Sequence, residues 1–209
     1  MLYGIIRLLP PMAVIVFVLR LYLTGTKKIS SWVAIAAVFV APLLLPVLVS
    51  FPVENRLFDF SSPEQAFRYV SFDRVDAVVE GEDSALVVRE FEGSASCTFL
   101  PRSGDGWNIS IDNSYSKWFV SPDIVTAQVL VYNPRGTGDY YIEVVQALWG
   151  SETQFAPVED SHGSSFVRVV NGRAAYDFAW VGEPPAGYIV RVGGTEVAID
   201  WEQMQAGLK

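Results

Sequence analysis

The sequence predicts a two-helix transmembrane hairpin followed by a mainly antiparallel β domain, a sandwich or curved sheet with one short helix at its start. Three observations carry that prediction. Residues 1–51 contain no Asp or Glu, so all 23 acids of the chain lie after Phe51. Two apolar runs joined by a short basic loop fill this front piece. Beyond it, apolar residues recur with a period of two between tight-turn signals.

The charge asymmetry sets the domain boundaries. Arg7, Arg20, Lys27 and Lys28 give residues 1–51 a net charge of +4; of 15 Lys and Arg in all, 11 remain against 23 acids, a net of −12 for residues 52–209. The second piece, about 158 residues, is enough for one domain with its own core and rather few for two. A net of −12 excludes nucleic acid as an expected partner, because that affinity comes mainly from Lys and Arg neutralising phosphates.

The first span is expected over about residues 5–23. Arg7 and Arg20 flank its apolar centre, where long side chains can reach the headgroups. Pro10 and Pro11 fall near its start, where a missing N–H costs little. The second span is expected over about residues 32–50, with Trp32 at the interface and a bend at Pro42 and Pro46. A small-x-small cleavage site is lacking between the runs, which argues against a removable signal peptide. Lys27 and Lys28 in the connecting loop favour its placement on the cytoplasmic side. The expected localisation is therefore the cell membrane, two-pass, with the β domain extracytoplasmic. Ala34, Ala36, Ala37 and Ala41 would permit close packing on another membrane protein.

Within residues 52–209, Ser62-Pro63-Glu64-Gln65 reads as a helix start: Ser62 as N-cap, Pro63 at the first helical position and Gln65 closing a capping box. That helix should run to about Val70. Strands are expected over 75–80, 84–91, 94–100, 107–111, 117–120, 125–132, 139–148, 165–170, 174–181, 188–192 and 195–201. Glu92-Gly93, Asn171-Gly172 and Gly193-Gly194 supply tight turns, and residues 133–138 form a longer hairpin loop.

Three segments carry a family resemblance. They are Phe60-Ser61-Ser62-Pro63-Glu64-Gln65-Ala66-Phe67-Arg68-Tyr69, the stretch Glu80-Gly81-Glu82-Asp83-Ser84-Ala85-Leu86-Val87-Val88, and Arg135-Gly136-Thr137-Gly138-Asp139-Tyr140-Tyr141. The first resembles an S-P-E-x-A-F-x-Y opening, and together they look like uncharacterised small bacterial proteins in which a membrane segment precedes a β-rich extracytoplasmic domain. The resemblance covers about 40 residues. It implies location and architecture and no catalytic residue.

No catalytic, cofactor-binding or metal-ligating residue set emerges from the motifs. His162, the single histidine, sits in Glu159-Asp160-Ser161-His162-Gly163-Ser164-Ser165, but triads are built from spatial neighbours rather than from one loop, and no G-x-S-x-G elbow is present. Glu80, Glu82, Asp83, Glu90 and Glu92 cluster at one hairpin without calcium-loop spacing and read as a solvated acidic edge. Asp73 and Asp76 offer a carboxylate pair for glycoside chemistry, as any acid-rich domain does. Cys97 is the only cysteine, so it has no intramolecular disulfide partner; it reads as a small buried apolar residue. One Cys and one His argue against zinc, and no phosphate loop or dinucleotide fingerprint occurs. Trp107, Trp118, Trp149, Trp180 and Trp201 read mainly as core, with a sugar- or peptide-binding platform as the functional reading.

The expected function is accordingly a non-enzymatic, membrane-anchored binding, accessory or sensor domain. Its expected partners are the lipid bilayer and another membrane protein or envelope component. A membrane-tethered hydrolase with carboxylate chemistry at Asp73, Asp76 or the acidic hairpin is the alternative, and a purely structural membrane protein is the third.

Overall fold

A computed structural model describes residues 2–24, 52–56, 60–110, 114–120, 127–182 and 186–206. The chain divides into two compact units. One comprises Met1–Asp59 with Arg68–Phe72, the other Phe60–Phe67 with Asp73–Lys209.

In the first unit, helix α1 spans Leu2–Thr24 and a 3-10 turn spans Val53–Arg56. The expected two-helix transmembrane hairpin is corrected here. Among the described residues no helix is long and apolar enough to cross a membrane. The charge-free part of α1 is only the stretch from Leu8 to Leu19, between Arg7 and Arg20. That is about 18 Å of helix against about 30 Å of hydrocarbon. Because α1 already begins at Leu2, Pro10 and Pro11 fall in its third turn rather than at its start. There each proline removes an intrahelical bond. The two-pass membrane localisation, and the extracytoplasmic placement built on it, therefore have no support. The second expected span, 32–50, lies outside the described residues.

Helix α2 spans Pro63–Val70, with its residues Pro63–Phe67 in the second unit. The Ser62 hydroxyl accepts the Gln65 N–H at 3.2 Å, as an N-cap should. Gln65 reaches back one residue further than a standard capping box, taking the Ser61 hydroxyl at 2.9 Å. Ala66 and Phe67 are buried, giving the helix its apolar face.

Twelve strands follow among the described residues. β1 (Ala77–Glu80), β2 (Ser84–Phe91), β3 (Ser94–Ser103) and β4 (Gly106–Trp107) form an antiparallel meander. β5 (Tyr115–Val120), β6 (Ala127–Pro134) and β7 (Tyr141–Ala147) continue the chain into a second sheet. β8 (Val158–Asp160) leaves for a third sheet, and β9 (Val167–Asn171) and β10 (Ala174–Trp180) return to the second in the order β5-β6-β7-β10-β9. β11 (Ile189–Val192) and β12 (Thr195–Ala198) complete the third sheet, ordered β12-β11-β8, and helix α3 (Trp201–Ala206) follows. All pairings within these sheets are antiparallel.

The five-stranded sheet is the middle of three layers. Leu130, Tyr132, Tyr141, Tyr176 and Phe178 on one of its faces pack with Ala77, Val79, Leu86, Val88 and Phe99 of the first sheet. Val129, Val131, Ile142 and Val144 on the other face pack with Val190, Val192, Val197, Ile199 and Trp201. Both faces of β6 and β7 are thus buried, so these strands read as nearly continuous apolar runs.

The buried carboxylate of Asp139 joins the first two layers. Asp139, 2% exposed, precedes β7. Its Oδ1 accepts the Glu82 N–H at 3.1 Å and the Trp180 indole N–H at 2.8 Å. Its Oδ2 accepts the Asp83 N–H at 2.9 Å and the Ser84 hydroxyl at 2.6 Å. Tyr141 donates its hydroxyl to the Ser84 carbonyl at 2.8 Å. The β1–β2 turn must come very close for this. A Cβ on Gly81 would lie 2.7 Å from the Asp139 carboxyl and from the Tyr141 hydroxyl, so only glycine fits.

Two substitutions test this junction by urea denaturation. Asp139→Asn replaces one acceptor oxygen with a donor that faces other donors, and should cost about 2–4 kcal/mol. Gly81→Ala forces the turn off the carboxylate and should give a loss of similar size. A loss below about 0.5 kcal/mol in either, the range of an ordinary surface change, would show that the layers are held without Asp139.

Candidate functional site

At the opposite end of β7 from Asp139 the chain enters a loop, residues 148–157, that carries Trp149. Four of the five tryptophans expected as core are enclosed or partly enclosed: Trp107, Trp118, Trp180 and Trp201. Trp149 is 63% exposed.

The loop under Trp149 is fastened at several points. The Trp149 N–H donates to the Glu152 carboxylate at 3.0 Å, and the Glu152 N–H returns to the Trp149 carbonyl at 3.1 Å. Arg173 donates through Nε to the Leu148 carbonyl and through Nη2 to the Gly150 carbonyl, both at 3.0 Å. Farther along, Gln146 exchanges hydrogen bonds with both backbone groups of Ala156 at 2.9 and 3.1 Å. Buried Asp177 holds the Arg168 guanidinium through two bonds, 2.7 and 3.1 Å, and that guanidinium reaches the Ala156 carbonyl at 2.7 Å. The Gly193 N–H, from the β11–β12 turn, donates to the Pro157 carbonyl at 3.1 Å.

Beside Trp149 lies an open groove of about 530 Å³, lined by residues that include Gly93, Trp149, Gly150, Asn171, Arg173 and Ala174. Its placement follows from two hairpin turns. Glu92 and Gly93 both have positive φ, +50° and +83°, and connect Phe91 to its partner Ser94. This is the type I′ geometry that the right-handed twist of the strands favours. The other turn differs from the sequence expectation by one residue. Asn171 pairs with Ala174, so the turn residues are Gly172, at φ +58°, and Arg173. Gly at the first central position makes this a type II′ turn. The shift leaves Asn171 in the strand and brings Arg173 to the groove. The Asn171 amide nitrogen is buried and has no hydrogen-bond acceptor among the described residues.

The candidate residues named by the sequence lie elsewhere. Asp73 pairs with Arg89. Asp76 accepts the Glu90 N–H at 2.7 Å and faces Arg74 at 3.4 Å. These two carboxylates therefore have separate structural partners. In the acidic hairpin, Glu80 faces Arg102 at 3.4 Å, while Glu82 and Asp83 lend their N–H groups to Asp139. Among the described residues no group of three His, Cys, Asp or Glu is placed to hold a metal ion.

The His162 loop does bring a serine to the histidine: the Ser161 hydroxyl lies 2.9 Å from His162 Nδ1. The acid of the loop is otherwise engaged. Asp160 Oδ1 accepts the N–H groups of His162 and Ser164, each at 2.9 Å, and Oδ2 accepts the Tyr188 hydroxyl. The Ser161 oxygen also accepts the Ile189 N–H at 3.1 Å. His162 stacks on the Tyr188 ring, 5.4 Å between centroids. Asp160 thus shapes the loop through backbone groups rather than orienting the imidazole, the role a triad acid would need.

Glu143 is a buried acid that no motif marks. It is 4% exposed, on the face of β7 turned to the first sheet, and accepts the Tyr132 hydroxyl. Tyr132 sits in a ring cluster with Phe99 and Tyr115. Burial raises the Glu143 carboxyl above the usual range, only partly offset by the Tyr132 hydrogen bond and by Lys117. Burial, and then the Glu143 charge, push the Cys97 thiol up, away from the thiolate that reactivity needs. The only signal of Glu143 in the sequence is an acid in an otherwise apolar strand.

Compared with known proteins, the chain matches no family model, no curated protein and no solved structure.

Two carboxyls with opposite shifts give opposite pH behaviour. The folded state raises Glu143, so its stabilising contribution is full below the unfolded value of about 4.3 and is lost as pH rises through the folded value. Glu143→Gln should therefore flatten the fall of melting temperature as pH rises above about 4.3. For Asp160, burial acts to raise the carboxyl, but hydrogen bonds from Ser164, Tyr188 and His162 outweigh it and hold the group below the usual range. Its contribution is present above the unfolded value of about 3.9 and is lost as pH falls through the lower folded value. Asp160→Asn should lower the melting temperature at about pH 7, and the difference from the parent should shrink as pH falls below about 3.9. Parallel melting-temperature profiles for parent and variant would refute either assignment.

Proposed function

We propose that the β domain is a binding module, that the groove beside Trp149 is its recognition surface, and that its ligand is a saccharide chain. The observation that carries this reading is an exposed tryptophan on a fastened loop. An indole left in water forgoes the large burial energy aromatics normally gain. When its loop is also tied at both ends, a ligand gains that area without first having to order the platform. Sugar rings present flat C–H faces that stack on indole, and hydroxyl edges that suit the polar groups of a shallow groove.

The open shape supports binding rather than turnover. Among the described lining residues none carries a carboxyl group, and the acids nearest to a catalytic arrangement are held by structural partners away from the groove.

Intrinsic fluorescence tests the proposal. The full chain should show a saturable change on titration with at least one member of a panel of neutral and acidic oligosaccharides. The change should be absent in Trp149→Ala, with the circular dichroism of the variant unaltered. A flat titration across the panel, or an undiminished response in the variant, would refute the assignment.

A further inference from the structure

We infer that the groove selects anionic sugars, with the Arg173 guanidinium binding a uronate carboxylate while Trp149 carries the sugar ring. This rests on the saccharide-binding reading above and names the class of saccharide.

The charge environment is the first argument. Arg74, Arg89, Arg102, Arg168 and Arg191 each face a carboxylate of the domain. Arg173 faces two backbone carbonyls instead, so no carboxylate among the described residues matches its charge. In a segment of net charge −12, that leaves a local positive point at the groove. An anion is repelled by most of this surface and admitted here.

Donor geometry is the second. A guanidinium has five N–H donors in a rigid fork. The carbonyls of Leu148 and Gly150 use one on Nε and one on Nη2. The remaining Nη2 donor and both Nη1 donors meet no acceptor among the described residues, and together they form the end of the fork that grips a carboxylate through two parallel bonds. The two carbonyls fix the plane of the guanidinium before the ligand arrives.

Position is the third. The two carbonyls belong to the residues immediately before and after Trp149. Arg173 is therefore anchored to the same three-residue segment that presents the indole, and the cation and the stacking surface move as one body. A uronic acid carries its carboxylate on the ring itself, so a ring lying on the indole brings its charge to the adjacent guanidinium. The Asn171 amide nitrogen, lacking an acceptor at the groove, adds a donor for a ring oxygen once the side chain turns outward.

The test is calorimetric titration of the full chain with a trimer of galacturonic acid and with the neutral galactose trimer, at about 20 mM and about 200 mM salt. The uronate should bind about tenfold or more tightly at low salt, and its advantage should shrink at high salt. Arg173→Gln should remove the uronate advantage and its salt dependence, and Trp149→Ala should abolish binding of both trimers. The salt dependence of the parent protein reads the charge contribution even if Arg173→Gln disturbs the loop. Equal or tighter binding of the neutral trimer would overturn the inference and leave the saccharide reading standing. No binding of either trimer, with binding of another glycan in the fluorescence panel, would overturn the inference alone. No binding to any glycan would overturn both.

Discussion

The junction of the first two β layers is arranged around the saturation of one buried carboxylate. Four donors converge on Asp139, and they come from the β1–β2 turn, from β2 and from β10. Burying an ionised acid is costly unless its lone pairs are filled, so the residues around it have little freedom. Gly81 must lack a side chain, Ser84 must offer a hydroxyl and Trp180 must aim its indole inward. The apolar layers supply most of the energy of the fold, but they would tolerate sliding. The carboxylate fixes their register. Residues of the segments 80–88 and 135–141 meet at this junction.

Much of the β structure is legible in the sequence alone, for reasons that can be named. Glu92-Gly93 and Gly193-Gly194 hold turns that need positive φ, and that requirement shows in the residue types. Ser62 and Pro63 mark a helix start because free N–H groups need an acceptor there. The three-layer stacking is not legible. A strand buried on both faces loses its alternation, and β6, from Ala127 to Pro134, gives no sign of which side faces which sheet. β8 escapes detection because three residues show no period, and the Asn171-Gly172 turn is displaced because Asn is acceptable on either side of the strand end. The first membrane span fails for a different reason: Arg7 and Arg20 leave about 18 Å of charge-free helix between them, and Pro10 and Pro11 fall inside that stretch.

The candidate site is the least legible part. An aromatic residue at the end of a strand is usually core, and four of the five tryptophans of this domain follow that rule. Exposure of the fifth depends on β7 ending at Ala147 and on where the following loop is pinned. Arg173 gives no signal either, since its meaning comes from the two carbonyls it meets just beyond the end of the neighbouring strand β7. The acids that do stand out in sequence, Asp73, Asp76 and Asp160, stand out by number and proximity, and the fold distributes them to ion pairs and loop caps.

The fastening of residues 148–157 has a consequence for timing. A loop tied by Glu152, Gln146, Arg168 and Arg173 has no disordered state to search through before it can receive a partner. Encounter then resembles rigid docking, with an association rate set by diffusion, orientation and charge rather than by folding of the platform. Ligands of one class would arrive at nearly the same rate, and what distinguishes them would be how long each stays.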